Sequence, residues 1–251
     1  MYTPTRKIDL SMLSSHYIAH RGYYNNSSDY PENSMEAFKL ALLNDFGIEF
    51  DLQLTSDNQI VIFHDDDMER MTGVKGRICD HTYKDLQNYN LSTSEAKIPL
   101  FSDLLKLVDG KVPLVIEIKT CKDTNKKLVD LLVPMLKEYK GQFCVYSFDP
   151  FVMRLFRKAY PEALRGMLNM YYDEKSLKGK FRRWFMNHLL SLYIAKPDFI
   201  SAECHYRPKK YDVFKKKAPI ICWTIRSKEE EIEAMKYFTN VVFENYNPKE
   251  K

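Results

Sequence analysis

The stretch "GIEFDLQL", residues 47–54, alternates apolar and polar side chains along its whole length. Successive side chains of a strand point to opposite faces, so Glu49 and Asp51 share one face, roughly 6.5–7 Å apart along the strand. The other face carries the apolar side chains Ile48, Phe50, Leu52 and Leu54. An ordinary edge strand would turn its polar face to solvent, whereas a barrel strand packs its apolar face against helices and turns the other face inward. The interpretation therefore depends on whether the remaining strands close into a barrel.

Strand-like apolar runs alternate with helical patterns along almost the whole chain. We interpret the following runs as barrel strands: 17–20, 47–54, 113–119, 143–147, 164–170, 198–203, 219–225 and 240–243. Helical patterns lie between them, near 33–45, 101–108, 125–139, 150–159, 174–196, 208–216 and 228–237. Strands that alternate with helices are typical of parallel βα units.

Eight such strands in a chain of 251 residues correspond to the size of a TIM (β/α)8 barrel. We therefore predict an α/β fold with a single TIM-barrel domain over residues 1–251. A short excursion is predicted after the second strand, in which the run 60–64 forms the far arm of a hairpin and 65–97 return to the barrel. A doubly wound open sheet is the alternative, but no G-x-G-x-x-G follows the first strand.

The composition argues against several classes of function. The net charge is +4, from 38 basic and 34 acidic residues. Such an excess is too small to indicate a nucleic-acid partner, although it tolerates an anionic small substrate. No apolar run approaches the ~20 residues of a membrane span, and the N-terminus lacks the apolar region of a signal peptide. Five cysteines without CxxC spacing favour a reduced setting, so we expect a cytoplasmic protein.

The predicted third barrel strand repeats the pattern of the second. In "PLVIEIK", residues 113–119, Glu117 and Lys119 share one face. Neighbouring strands thus direct three carboxylates at one interior, where like charges repel unless positive charge lies among them. Carboxylate oxygens with room for water suit a hard divalent cation, so we predict that Glu49, Asp51 and Glu117 bind Mg²⁺ or Ca²⁺.

Two histidines end strand-like runs beside that cluster. His20 follows the first run, and His64 ends "IVIFH". The active sites of TIM barrels lie at the carboxyl ends of the strands, so we expect both histidines at the same rim. Histidine is the usual proton-transfer residue near neutral pH, and Arg21 can bind phosphate oxygens through two parallel hydrogen bonds. Together with a cation and a lysine, these residues predict phosphodiester cleavage. His205, after "FISAE", is a further candidate for this rim.

The helix near 33–45 has a recognisable start. Asn33 precedes the apolar pattern and Glu36 follows three residues later, which is the spacing of a capping box. We therefore predict that Asn33 is the N-cap of this helix.

These segments resemble the glycerophosphodiester phosphodiesterase family. The similar segments are "AHRG", "PENSMEAF", "GIEFDLQLTSDNQIVIFHD", "MERMTGVKGRICDHTYKDL", "IPLFSDLL" and "PLVIEIK", which cover most of 17–119 in the family's order and spacing. Shorter matches follow at "VYSFDP", "KPDFIS" and "CWTI". The resemblance implies a TIM barrel, a divalent cation, and hydrolysis of a glycerophosphodiester to glycerol 3-phosphate and an alcohol.

The resemblance also implies roles for individual residues. The metal ligands would be Glu49, Asp51 and Glu117, and the acid/base pair would be His20 and His64. The substrate-binding residues would be Arg21 and Lys119 at the phosphate, Glu32 at the rim, and Trp223 against the glycerol. The assignment of acid and base within the histidine pair stays open.

The chain departs from the family pattern at its last strand. The family often has Ile-Thr-Asp-Tyr-Pro there, whereas this chain has "FENYNP", with Glu244 and Asn245. The segment after this strand is too short for an eighth helix, and we expect "RKIDLSMLSSH", residues 6–16, to cover that part of the barrel. These departures affect the predicted substrate more than the predicted reaction.

Two other functions fit the same residues. The first is a phospholipase C- or D-like enzyme acting on lysophospholipids or phosphoinositides, because the short excursion leaves the mouth of the barrel open. The second is a binding protein with a silent site, and the retention of both histidines argues against it. Metal-dependent turnover of glycerophosphodiesters would distinguish the three.

Residues 178–196, "KGKFRRWFMNHLLSLYIAK", combine a basic start with an apolar stripe. The stripe consists of Phe181, Trp184, Phe185, Leu189, Leu192 and Tyr193, which recur at the helical spacings of three and four. Its place after the fifth strand favours an outer barrel helix that packs through this stripe, with Trp184 buried. The alternative is that the basic, aromatic start contacts an anionic membrane surface.

Overall fold

The structure, a computed structural model, describes residues 2–121 and 124–250, and within these ranges nine strands form one sheet. The strands are β1 (Ile18–Ala19), β2 (Gly47–Leu54), β3 (Ile60–Ile62), β4 (Leu114–Ile118), β5 (Phe143–Tyr146), β6 (Leu164–Asn169), β7 (Phe199–Glu203), β8 (Ile220–Ile225) and β9 (Val241–Phe243). Parallel pairing of β1 with both β2 and β9 closes a barrel of eight strands, while β3 runs antiparallel to β2 outside it. The predicted TIM barrel with its excursion is confirmed.

Most of the helices connect barrel strands on the outside. The helices are α1 (Met12–Ser15), α2 (Met35–Leu43), α3 (Glu69–Thr72), α4 (Tyr83–Leu86), α5 (Phe101–Val108), α6 (Asn125–Glu138), α7 (Pro150–Ala159), α8 (Lys180–Asn187), α9 (Ser191–Ala195), α10 (Lys210–Lys215) and α11 (Lys228–Ala234). Of these, α1 precedes the first strand, and α3 and α4 lie in the excursion. The helix predicted at 174–196 is two shorter helices, because Leu189 has a φ of +58° and interrupts the helical backbone. Among the described residues, no helix has both the length and the apolar character needed to cross a bilayer.

Two apolar layers hold the barrel together. In the outer layer, Phe50 of β2 packs against Phe38 of α2 and Phe101 of α5, with ring centroids 6.0 and 5.8 Å apart. This is the apolar face that the alternation in 47–54 predicts. The inner layer is smaller and includes Ile18, Val115, Tyr146, Phe199, Ile221 and Val242. The polar face of β2 points towards this interior.

α1 closes the amino end of the barrel. Its Met12 and Leu13 belong to the inner apolar layer. Asn240, which immediately precedes β9, donates from Nδ2 to the carbonyl oxygens of Leu13 (2.9 Å) and His16 (2.7 Å). Because Asn240 lies at the amino end of its strand, the segment 6–16 covers that end of the barrel. The opposite rim, at the carboxyl ends of the strands, stays open.

The excursion after β3 has a small core of its own. The buried side chains in it include Phe63, Met68, Met71, Ile78, Leu86, Leu91 and Ile98. The Phe63 N–H donates to the Asp51 carbonyl at 2.9 Å, so the chain leaves β3 directly beside the carboxyl end of β2. His64 follows Phe63 and is thereby placed at the rim.

Candidate active site

Three carboxylates meet inside the barrel at the carboxyl ends of β2 and β4. Glu49 and Asp51 share a face of β2, and the parallel register sets Asp51 opposite Glu117 of β4. One oxygen from each of the three lies within 4.8 Å of the others, and all three side chains are buried. The structure thus brings together the three residues that the sequence predicts as metal ligands.

Positive groups surround these carboxylates. Lys119 Nζ lies 3.1 Å from Glu117 Oε1 and 3.7 Å from Asp51 Oδ1. Arg21 Nε lies 3.7 Å from Asp51 Oδ2, and the Arg21 backbone N–H donates to Glu49 Oε2 at 2.9 Å. The cluster is therefore partly neutralised by the two residues predicted to contact phosphate.

The three carboxylates differ in acidity. Burial raises the pKa of Glu117 to about 7, because the attraction of Lys119 only partly offsets it. Burial, together with Asp51 and Glu117, also raises the pKa of Glu49 well above its ordinary value. For Asp51 the burial effect is outweighed by Lys119, His64 and Arg21, which lower its pKa. Without a cation the cluster therefore retains protons at neutral pH, and a divalent ion would compete with those protons.

Asn33 belongs to this site and is not the helix cap that the sequence predicts. Its backbone has a φ of +57°, and its Nδ2 donates to Asp51 Oδ2 at 2.9 Å. Ser34 caps α2 instead, with its Oγ accepting the Ala37 N–H at 3.1 Å. Asn33 Oδ1 and Asp51 Oδ1 are both buried, and no donor in the described residues hydrogen-bonds to either. Unsatisfied oxygen acceptors beside three carboxylates fit a hard cation.

His20 is held from behind by a carboxylate. Its Nδ1 lies 2.5 Å from Glu244 Oε2, and its Nε2 lies 4.0 Å from Glu49 Oε2. Glu244 also accepts from Tyr24 Oη at 2.8 Å and pairs with Arg226 Nε at 2.8 Å. Burial lowers the pKa of His20, although its hydrogen bond to Glu244 opposes the shift. The imidazole thus directs Nε2 at the carboxylates while Nδ1 donates to Glu244.

Glu244 is a site residue to which sequence reasoning assigned no role. Burial raises its pKa, but the hydrogen bond from His20 outweighs this effect and holds the pKa at about 2. Its position directly after the last strand could have identified it as a rim residue. In the sequence it was noted only as a departure from the family pattern.

His64, like His20, is held through Nδ1 by a carboxylate, but the residues involved come from a different segment. Its Nδ1 lies 2.6 Å from Asp65 Oδ1, and Arg70 Nε donates to the other oxygen of Asp65 at 2.6 Å. Its ring is close enough to Asp51 and Glu117 that positive charge on it would favour the ionised form of both, although burial still raises the pKa of Glu117 overall. Both predicted histidines therefore lie beside the acidic cluster, each with Nδ1 bound to a carboxylate.

Glu32 holds the arginines of the rim. Its oxygens accept from Arg21 Nη1 at 2.6 Å, from Arg70 Nη2 at 2.7 Å and from Asn26 Nδ2 at 2.8 Å. Burial raises its pKa, but the hydrogen bonds from Arg70 and the charge of Arg21 lower it to about 2. Its carboxylate is thus engaged with arginines, and Arg70 is a further site residue that sequence reasoning missed.

Trp223 and His205 lie on neighbouring strand ends. Trp223 of β8 is half-buried, donates from Nε1 to the Ser201 carbonyl at 3.2 Å, and meets Phe148 edge-on at 5.6 Å. His205 is exposed and groups with Glu203 and Cys204 rather than with the buried carboxylates. Of these two residues, Trp223 is therefore the one that contributes to the interior of the barrel mouth.

A groove of about 670 Å³ opens beside the carboxylates. Glu117 and Lys119 line it, and the rest of its wall comes mainly from loops after β4, β5 and β6 and from α8. Its largest apolar side chains are Phe148, Phe151, Tyr172, Leu177, Phe181 and Phe185. The site therefore combines a charged centre with an apolar extension.

Comparison with known proteins identifies a family. A profile of the glycerophosphoryl diester phosphodiesterase family matches residues 20–241. A glycerophosphodiester phosphodiesterase of Bacillus altitudinis is 39% identical over 164 residues, which cover 61% of this chain and 66% of that protein. One from Caldanaerobacter subterraneus is 28% identical over 224 residues, covering 85% of this chain and 86% of that protein.

Solved structures share the fold. A phosphodiesterase of Oleispira antarctica, in complex with the product sn-glycerol-3-phosphate, superposes with a TM-score of 0.78 at 21% identity and covers 95% of this chain and 96% of its own. A glycerophosphoryl diester phosphodiesterase-like structure from Silicibacter pomeroyi superposes with a TM-score of 0.77 at 17% identity. The superposition covers 91% of this chain and 89% of that chain. The extent of the profile match, supported by the relatives and the fold, shows that the chain belongs to the glycerophosphoryl diester phosphodiesterase family, whose members are phosphoric diester hydrolases.

Proposed function

We propose that this protein hydrolyses glycerophosphodiesters to glycerol 3-phosphate and an alcohol, with His20 and His64 as general acid and base. The observation that supports this best is that both imidazoles lie beside one carboxylate cluster, each with Nδ1 bound to a carboxylate. The Oleispira antarctica structure, which has the same fold, is a complex with the product sn-glycerol-3-phosphate.

Glu49, Asp51 and Glu117 would hold Mg²⁺ or Ca²⁺. Their hard oxygen donors suit either ion, and the unsatisfied Oδ1 atoms of Asp51 and Asn33 lie buried in the same site. When bound, the cation would polarise the phosphoryl group and offset its negative charge. The carboxylates themselves would then lose the repulsion that contributes to the raised pKa values of Glu49 and Glu117.

Arg21 and Lys119 would bind the phosphate. Arg21 Nε is buried, and no acceptor in the described part of the chain hydrogen-bonds to it, which is costly for a charged donor. Glu32 holds Nη1 of the same guanidinium at 2.6 Å and so keeps it at the site. A phosphate oxygen would complete the hydrogen bonding of Nε, and Lys119 would add a second positive charge. Trp223 would offer an apolar wall to the glycerol carbons.

The two Nε2 atoms would carry the proton transfers. Glu244 and Asp65 hold Nδ1 of His20 and His64, so a neutral ring presents an unprotonated Nε2. One ring takes the proton of the attacking oxygen, and the other, protonated, donates to the leaving alkoxide. The lowered pKa of His20, caused by its burial, favours the neutral form and hence the role of base for this ring.

Substrate turnover tests the proposal. The panel consists of glycerophosphocholine, glycerophosphoethanolamine and glycerophosphoglycerol, with released glycerol 3-phosphate measured by a coupled assay. We expect release with added Mg²⁺ or Ca²⁺, loss with excess chelator, and recovery when the metal is restored. If no substrate yields glycerol 3-phosphate with either metal, the proposal is wrong.

A second candidate substrate class is favoured by the apolar groove. A lysophospholipid carries the same phosphodiester as a glycerophosphodiester but adds an acyl chain, and the groove offers an apolar wall starting at Glu117 and Lys119. Lysophosphatidylcholine and glycerophosphocholine differ only in that chain. The kcat/KM for lysophosphatidylcholine divided by the kcat/KM for glycerophosphocholine therefore measures the use of the groove. A ratio above one supports the lysophospholipid, and a ratio far below one rules it out.

A further inference from the structure

The start of α8 presents two aromatic rings to solvent. Phe181 is 73% exposed and Trp184 is 49% exposed, and their rings stack with centroids 5.9 Å apart. The prediction that Trp184 packs against the barrel is therefore wrong. Met186 is the buried residue of α8, and the buried stripe resumes at Leu189 beyond the break in the helix. Because these two exposed rings are adjacent rather than scattered, we consider this surface a candidate for interaction.

Basic side chains flank this ring pair. Lys178, Lys180 and Arg182 are exposed, and no carboxylate in the described residues forms a salt bridge with any of them. Arg183 in contrast pairs with Glu174 at 3.0 Å. Three uncompensated cations beside exposed aromatics match the chemistry of an anionic lipid surface, which takes rings at the headgroup level and cations at the phosphates.

The same surface borders the groove of the active site. Phe181, Arg182 and Phe185 line the groove, as do Glu117 and Lys119 of the charged centre. The α8 surface and the charged centre therefore share one groove.

We propose that residues 178–184, the α8 patch, dock the protein on an anionic phospholipid bilayer with the mouth of the groove against the lipid. Phe181 and Trp184 lie in the headgroup region, and Lys178, Lys180 and Arg182 contact lipid phosphates. This docking is a property beyond hydrolysis, and it is measured without turnover, so its failure is distinct from failure of the proposed activity.

Vesicle co-sedimentation tests the patch. The protein should sediment with vesicles of phosphatidylcholine and phosphatidylglycerol at low ionic strength, much less with phosphatidylcholine alone, and should be released by salt because the cations are exposed. Trp184→Ser and the double variant Lys178→Ala/Lys180→Ala should each reduce binding at least about tenfold, which is a loss of 1.4 kcal/mol or more. Tyr237→Ser, which removes an aromatic that is 43% exposed outside the patch, is the matched control and should bind normally.

Tryptophan fluorescence measures the environment of the Trp184 ring directly. The chain has two tryptophans, so Trp223→Phe leaves Trp184 as the sole indole. Its emission should shift to the blue with anionic vesicles. The melting temperature and the hydrolysis of glycerophosphocholine should be unchanged in Trp184→Ser, because this residue lies outside the groove. Equal vesicle binding by Trp184→Ser and the unmodified protein would overturn the proposal. A dimer in gel filtration that Trp184→Ser converts to a monomer would also overturn it, because the patch would then join two copies of the chain.

A second observation concerns two cysteines on different loops. Cys79 Sγ and Cys121 Sγ lie 3.1 Å apart, and both residues are partly exposed, whereas Cys144, Cys204 and Cys222 are buried. Cys79 lies in the excursion and Cys121 follows β4, close to Lys119. A disulfide requires sulfurs about 2.05 Å apart, so the two sulfurs of this pair are only about 1 Å beyond bonding distance.

We infer that Cys79 and Cys121 form a reversible disulfide in the presence of a low-molecular-weight disulfide such as oxidised glutathione. One thiolate attacks the glutathione disulfide and releases one reduced glutathione, giving a mixed disulfide. The neighbouring thiol loses its proton and attacks the protein sulfur, which releases the second reduced glutathione. Two protein thiols are oxidised and one glutathione disulfide is reduced.

Thiol counting after denaturation tests the pair. Oxidised glutathione should lower the number of free thiols from the five of the chain to three, without a glutathione adduct in the mass spectrum, and dithiothreitol should restore five. The oxidised protein should melt at a higher temperature, because the bond closes a loop and restricts the unfolded chain. Cys79→Ser and Cys121→Ser are matched variants, and each should take up one glutathione instead. Five remaining thiols, or two glutathiones on the unmodified protein, would contradict the inference.

Discussion

His20 and His64 each owe their orientation to a carboxylate that binds Nδ1 and does not belong to the cluster of Glu49, Asp51 and Glu117. Glu244 comes from the end of β9, while Asp65 is the next residue after His64 and is itself held by Arg70. A carboxylate on Nδ1 selects the tautomer and stabilises the protonated ring, so the orientation of each imidazole is settled before a substrate arrives. We therefore propose that Glu244, Asp65 and Arg70 act as positioning residues for the proton transfers assigned to these histidines.

The roles of the two histidines can be separated by leaving group. His20→Ala and His64→Ala should each lower kcat about 10²–10⁴-fold on glycerophosphocholine, because general acid or base catalysis contributes that much. A nitrophenyl phosphodiester has a leaving group that needs no proton, so it should restore turnover in His64→Ala and not in His20→Ala. Equal losses on both substrates in both variants would exclude separate acid and base roles.

Glu244 should affect the rate more than substrate binding. Glu244→Gln leaves His20 in place but removes the charge that stabilises its protonated form, so we expect kcat to fall about 10–10²-fold while KM changes little. Glu250→Gln, a change at an exposed carboxylate near the end of the described chain, is the control and should leave both parameters unchanged. An unaltered kcat in Glu244→Gln would show that the hydrogen bond to His20 does not serve the reaction.

Glu117 should report on both the metal and the pH dependence of stability. Its pKa is about 7 in the folded protein against 4.5 ordinarily, so the unfolded chain releases this proton first as pH rises. The metal-free protein should therefore lose stability between about pH 4.5 and 7, and Glu117→Gln should remove that loss. Thermal melting with chelator at pH 4 and pH 8 measures this loss of stability. The Glu117→Gln variant should melt at a higher temperature than the unmodified protein at pH 8 and not at pH 4.

The same Glu117→Gln variant should bind metal weakly. Loss of one of three carboxylates should lower the affinity for Mg²⁺ and Ca²⁺ and reduce activity at least about 10²-fold. Isothermal calorimetry measures the affinity directly. Unchanged affinity for both ions would show that Glu117 is not a ligand.

At the scale of elements, the junction before α2 divides two tasks between adjacent residues. Ser34 caps the helix through the Ala37 N–H, while Asn33 turns its side chain the other way, to Asp51 of β2. The positive φ of Asn33 makes this division possible, because asparagine tolerates the left-handed region better than most residues. One turn therefore both starts a helix and completes the acidic site.

Substitutions at this junction should separate stability from activity. Ser34→Ala should lower the free energy of unfolding by about 1 kcal/mol, the usual value of an N-cap, with kcat retained. Asn33→Gly keeps the positive φ but removes the contact with Asp51, so it should lower kcat with a small change in stability. Chemical denaturation and glycerophosphocholine turnover measure the two effects, and a Ser34→Ala variant that loses activity but not stability would contradict this division.

At the scale of the whole molecule, the two ends of the barrel have different tasks. α1 seals the amino end with Met12 and Leu13, and the carboxylates and histidines occupy the carboxyl end. Since the inner apolar layer lies between them, changes at the sealed end should reach the site only through the stability of the barrel. This separation is common to TIM barrels.

A truncation in this seal should test the separation. Leu13→Ala removes a fully buried side chain and should lower the free energy of unfolding by about 2–5 kcal/mol. The kcat measured well below the melting temperature should stay within about twofold of the unmodified value. Ser14→Ala, an exposed neighbour in α1, should change neither quantity. A large loss of kcat in Leu13→Ala with little loss of stability would show that the two ends are coupled.

The sequence by itself determined the alternation of strands and helices and the acidic face of β2 and β4, because both depend on local periodicity. The period-two pattern of residues 47–54 and 113–119 places Glu49, Asp51 and Glu117 inward wherever those segments form neighbouring strands, and the positions of His20 and His64 at strand ends follow from the same reading. The roles assigned to these residues stay predictions until the variants above are measured.

Only the tertiary structure decided which residues hold the site in place. Asn33 reaches Asp51 across 18 residues, Arg70 reaches Glu32 across 38, and His20 reaches Glu244 across 224. No local pattern marks such pairs, because only tertiary packing makes them neighbours. The His20–Glu244 pair in particular requires the barrel to close between β1 and β9. The exposure of Trp184 has a similar cause: helical spacing predicts which residues share a face, whereas the break at Leu189 and the packing of the neighbouring helices decide which part of that face is covered.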